Sequence, residues 1–157
     1  MPFVPFLLAL LGLVPFVICG LGALGLDPAF AGRMLAALNS YAALILSFLG
    51  AVHWGLALEG IPRAATRAHR TRFVLGVVPM LVAWVALLLP LMGGPPWSPL
   101  LLLLPAYIGV LLTERYATRR GLLPRGYMRV RWVATAGAVT VMAIVLVVRG
   151  LGHTIVL

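Results

Sequence analysis

The sequence predicts an all-α polytopic membrane protein, a single domain over residues 1–157 built as a bundle of about five transmembrane helices. Three observations predict it. Hydrophobic residues are 63% of the chain, charged residues 10%, and the mean hydropathy is +1.13. A soluble domain carries about 45–50% apolar and about 25% charged residues, so no soluble core absorbs this much apolar surface. The apolar residues gather in five runs, and the basic residues gather between alternate runs.

The first run, Phe3 to Leu24, has no positive segment ahead of it and no cleavage site leading into a soluble chain; it reads as a retained span. Cys19 within it packs as a small hydrophobe and, as the sole cysteine, builds neither an internal disulfide nor a thiolate metal cluster. The second run is Leu38 to Leu58 and the third is Phe73 to Met92. The fourth, Pro99 to Thr113, is the shortest and enters through the uncharged turn Gly93-Gly94-Pro95-Pro96-Trp97. The fifth is Trp132 to Val148, whose small face of Ala136, Thr140 and Ala143 makes it a natural neighbour of the second. Pro15, Pro79 and Pro105 each remove a backbone donor inside a span and predict a kink. Helices satisfy the backbone in lipid segment by segment, and the runs lack the alternation of barrel strands.

Orientation follows from the arginines. The net charge of +9 comes from 12 arginines, no lysine and three acids, Asp27, Glu59 and Glu114. Arg63, Arg67, Arg70 and Arg72 separate the second and third runs; Arg115, Arg119, Arg120, Arg125, Arg129 and Arg131 separate the fourth and fifth. Arg33 and Arg149 are the two that fall on the other side. The positive-inside rule puts the amino terminus in the cytoplasm and the carboxyl terminus outside. Basic residues spaced this way orient a membrane chain and argue against nucleic acid as a partner.

The second run carries the candidate site. At 100° per residue, Ser40, Ala43, Ser47, Gly50, His53, Trp54 and Ala57 share one side, which should face the bundle. Tyr41, Leu44, Ile45, Phe48, Val52 and Leu56 form the side expected toward lipid. An ionisable side chain inside a span is costly, so His53, with Trp54 and Ser47, is the candidate ligand-binding group. Imidazole there suits an interhelical hydrogen bond, a metal or haem, a proton, or a quinone-like headgroup. His69 and His153 fall elsewhere in the chain and do not join it.

Glu114 closes the fourth span, and Arg129 and Arg131 precede the fifth on the same side. A carboxylate this near lipid needs a cation, which predicts a polar cluster of Glu114 with Arg129 or Arg131 at the mouth of a cavity that reaches His53. Signatures of catalysis are absent: no H-E-x-x-H, no G-x-S-x-G, no Walker sequence and no cysteine pair. No enzyme activity and no metal site are expected, and the residues leave any cofactor unknown.

These residues together resemble the transmembrane protein 69-like family, the family of domain of unknown function 3429, over nearly the whole chain. The resemblance rests on Leu46-Ser47-Phe48-Leu49-Gly50 and Val52-His53-Trp54-Gly55-Leu56, which are specific. Pro15-Phe16, Pro79 with Trp84, and Leu123-Pro124 with Tyr127, Arg129 and Arg131 support it. Ala51, Gly126 and Glu114 depart from the family pattern, where Gly, Trp and Asp are expected. The resemblance implies a small multi-spanning protein of bacterial or mitochondrial inner membranes without an assigned activity. Two functional expectations follow: a non-enzymatic accessory or assembly subunit of a larger inner-membrane complex, or a binder of an amphipathic ligand such as a quinone, haem or lipid.

Overall fold

The computed structural model describes residues 3–25, 27–59, 67–119 and 127–155. Arg63, Arg120, Arg125 and Pro124 lie outside the described residues, as do the side chains of Glu59, His69 and His153. Six helical segments follow one another: α1 (Phe3–Leu11), α2 (Val14–Ala23), α3 (Pro28–Glu59), α4 (Arg67–Leu91), α5 (Pro99–Arg119) and α6 (Tyr127–Ile155). The chain is all-α among the described residues. Four stretches are long and apolar enough to cross a membrane, and a shorter apolar helix, Gly76–Leu91, lies in α4.

The first candidate span, Phe6–Ala23, is built from two helical pieces. Pro15 has no amide hydrogen for the carbonyl of Leu11, so the helix breaks at Gly12 and Leu13. The Leu13 amide turns back to Leu10 at 3.0 Å, and the Tyr41 hydroxyl of α3 donates to the Gly12 carbonyl at 2.9 Å. A hydroxyl from a neighbouring helix thus satisfies a carbonyl at the kink.

The helices run past the apolar limits of their spans. α3 starts at Pro28 rather than near Leu38, because the Asp27 carboxylate accepts the amides of Ala29 and Phe30 at 3.3 and 3.2 Å while Pro28 occupies the first turn. Its 32 residues extend about 48 Å, more than the ~30 Å of a hydrocarbon core. α5 continues through Glu114 to Arg119, and α6 begins at Tyr127, so Glu114, Arg115, Arg119, Arg129 and Arg131 are themselves helical.

Neighbouring helices pack in a ring, α2 on α3, α3 on α4, α4 on α5, α5 on α6, and α6 back on α2 and α1, with α3 also meeting α5 across the centre. Tyr107 of α5 is fully buried there, donates to the Ala42 carbonyl at 2.8 Å, and stands edge-on to Phe16. α3 and α4 meet most closely at Gly50, where an added Cβ would sit 2.5 Å from the Gly76 carbonyl. The pairing expected between the second and fifth spans is not the one formed. α6 packs chiefly on α5, α2 and α1, and its Ala136 and Thr140 are exposed.

Candidate functional site: a cavity walled by a buried arginine

Where α3 and α6 stand apart, a cavity of about 360 Å³ opens beside the α1–α2 kink. Its wall is mostly apolar: Phe16, Ile45, Phe48, Leu49, Ala134 and Ala138 are among its lining residues, and Tyr107, Arg131 and Thr135 are the lining residues with polar side chains. The break at Gly12 and Leu13 lets these two residues line the cavity. The proline that broke the helix therefore also shapes the cavity wall.

Arg131 is 7% exposed and Glu114 0%. The Arg131 Nε donates to Glu114 Oε2 at 2.6 Å, and Nη1 donates to Thr135 Oγ1, one turn further along α6, at 3.2 Å. Nη2 is buried and has no partner among the described residues. Removing a buried ion from water costs several kcal/mol, and Glu114 offsets that for the charge as a whole. An unfilled donor on such a group still leaves about 1–3 kcal/mol unrecovered. The Tyr107 hydroxyl is already committed to the Ala42 carbonyl, which leaves Nη2 as the unsatisfied donor on a residue of this wall.

The structure brings Glu114 and Arg131 together and leaves Arg129 exposed. Residues two apart on a helix point about 200° away from each other, so one arginine faces α5 and the other faces outward. Arg115 is likewise exposed, 5.8 Å from the Trp132 ring.

His53 is buried, at 6% exposure, in a separate cavity of about 210 Å³ between α3, α4 and α5. Val78, Pro79, Val82, Ala106, Gly109 and Val110 line it, with Thr113, whose hydroxyl donates to the Val110 carbonyl at 2.7 Å. The expectation that the glutamate–arginine cluster opens toward His53 is therefore corrected: the two line different cavities. Trp54 is corrected too. It is 43% exposed, donates from Nε1 to the Phe73 carbonyl at 3.1 Å, and covers Gly76, so it fastens α3 to α4 rather than facing the interior. Ser47 is half-buried and donates to Ala43 of its own helix at 2.9 Å, and it lines neither of these cavities. Ile45 and Val52, expected to face lipid, instead line the larger cavity.

The model of a family described as "Protein of unknown function (DUF3429)" matches residues 1–147. The chain belongs to this family. No curated protein and no solved structure matches it. Since the description of DUF3429 names no activity, function rests on the geometry of the chain itself. Two residues of that geometry escape a reading by charge alone. Thr135 carries a signal in its spacing four residues after Arg131, which places the pair on one face of a helix. Tyr107 carries none beyond its position two residues after Pro105.

Proposed function

We propose that this DUF3429 chain is a non-enzymatic membrane protein that binds an amphipathic ligand. The apolar part of the ligand lies in the cavity between α3 and α6, and an uncharged acceptor in its head, such as a quinone or ester carbonyl, receives the Arg131 Nη2 hydrogen. One observation carries this reading: a nine-tenths buried guanidinium, with one nitrogen unpartnered among the described residues, on the wall of an otherwise apolar cavity. Glu114 already balances the Arg131 charge, so an anionic head would add an unmatched charge at low dielectric, whereas a neutral carbonyl adds none. The volume suits a single ring or chain, since a cavity of about 150 Å³ already accepts benzene.

Extraction of the protein purified in mild detergent, followed by mass spectrometry, tests the reading. The wild type should yield one small molecule per chain. The double variant Arg131→Met/Glu114→Gln, which leaves no lone buried charge, should fold and lack it. An extract without such a molecule, or an unchanged one from the double variant, contradicts the reading.

The accessory-subunit reading draws on the exposed Ala136 and Thr140 of α6, a small-residue surface suited to close approach by another helix. Stoichiometric co-purifying polypeptides without a small molecule would favour it. For either reading the membrane is a bacterial cytoplasmic or a mitochondrial inner one, with the Glu114 end of the bundle inside. The arginine asymmetry supports that orientation. A reporter fused after Leu157 that is active in the cytoplasm would overturn it.

A further inference from the structure

We propose a second binding site at the opposite end of the bundle, where Arg149 binds a phosphate group, whether of a lipid headgroup or free in solution. A cavity of about 470 Å³ lies there between the α2–α3 turn, the α4–α5 turn and the end of α6. Gly25, Pro28, Gly32, Trp97, Arg149 and Gly152 are among its walls. Arg149 is half-buried, and its Nε donates to the Ala23 carbonyl at 2.7 Å. That carbonyl belongs to the last turn of α2, where the helix dipole favours a cation, so the guanidinium is held in place by backbone. Its Nη2 is buried without a partner among the described residues.

The charge of Arg149 is unmatched among the described side chains. Glu114 is paired with Arg131 at the other end. Asp27, at this end, is exposed, and its two oxygens accept the first amides of α3. An anion is therefore what this arginine lacks, and a guanidinium fork matches phosphate oxygens in geometry as well as charge. Trp97 on the same wall is a residue type that sits at headgroup depth, where lipid phosphates lie.

The test uses the full chain in mild detergent. Native mass spectrometry with an equimolar mixture of phosphatidylglycerol and diacylglycerol of the same tails reads the lipid source. Thermal unfolding in millimolar inorganic phosphate against chloride of equal ionic strength reads the free anion. A charged hydrogen bond of ordinary strength corresponds to about tenfold in affinity. Phosphatidylglycerol should accordingly be retained about tenfold over diacylglycerol if the source is lipid, or phosphate should raise the unfolding temperature if it is free. Arg149→Gln should abolish whichever is seen, and Arg33→Gln, at an exposed arginine of the same end, should not. Gly32→Leu, at a wall position with nothing within 4 Å of an added Cβ, puts a bulky side chain into the cavity while keeping the arginine, and should also abolish it. No preference of either kind, an unchanged preference in Arg149→Gln, or an equal loss in Arg33→Gln overturns the proposal.

Discussion

Arg131 and Arg149 project from the same side of α6, since eighteen residues make five turns of 3.6, yet they stand in opposite electrostatic situations. Arg131 is buried against a fully buried carboxylate; Arg149 is half-buried against a backbone carbonyl. Both line a cavity, and both carry a buried Nη2 without a partner among the described residues. At the two proposed sites, the class of ligand each arginine would select depends on what already faces it. A matched charge leaves room for a neutral acceptor, and an unmatched one calls for an anion.

The comparison breaks most visibly at Glu114. Glu114→Leu strands the Arg131 charge in the interior and should lower stability by about 3–5 kcal/mol, followed by thermal or denaturant unfolding in detergent. Adding Arg131→Met should recover most of the loss. Recovery is the informative half, because a purely steric defect at position 114 would persist in the double variant.

The next effect lies at the close contact of α3 with α4. Gly50→Ala drives a Cβ to 2.5 Å from the Gly76 carbonyl, backbone that cannot step aside, and should cost about 1–3 kcal/mol. Arg149→Met should cost about 1 kcal/mol, since the group is half-exposed and loses one hydrogen bond without stranding a charge. If it matched Glu114→Leu, the contrast between the two ends would fail. Smallest of all, Trp54→Phe removes the donation to Phe73 and should cost about 0.5–1 kcal/mol while leaving the ligand extract of the wild type unchanged.

Much of the fold was legible in the residues. Hydropathy marked the four long apolar helices and the shorter apolar one in α4, and Pro15 marked the break between α1 and α2. The early start of α3 was also written in Asp27-Pro28, an N-cap followed by a first-turn proline, and was obscured because those residues precede the apolar run. The glutamate–arginine contact was legible as a need, since a carboxylate near lipid requires a cation. The choice of Arg131 over Arg129 lay in helical phase. Met128, Arg131, Thr135, Ala138, Met142 and Val145 form one buried stripe at three- and four-residue spacing, and Arg129 falls off it.

The cavities were not legible. The one walled by Arg131 arises where α3 and α6 fail to pack closely, a property of how the ring closes rather than of either helix alone. Trp54 misled for a related reason. Periodicity gives the side of α3 on which it lies, but the surface it meets there is α4 at Gly76, which the indole covers from outside.

The central claim is that a charge-balanced Arg131 anchors a neutral head. Native mass spectrometry of the full chain, offered equal amounts of a monoacylglycerol and the fatty acid of the same tail, tests it most directly. The account predicts a monoacylglycerol adduct on the wild type that disappears in Arg131→Met/Glu114→Gln. Preference for the carboxylate, or adducts identical in the two proteins, would contradict it.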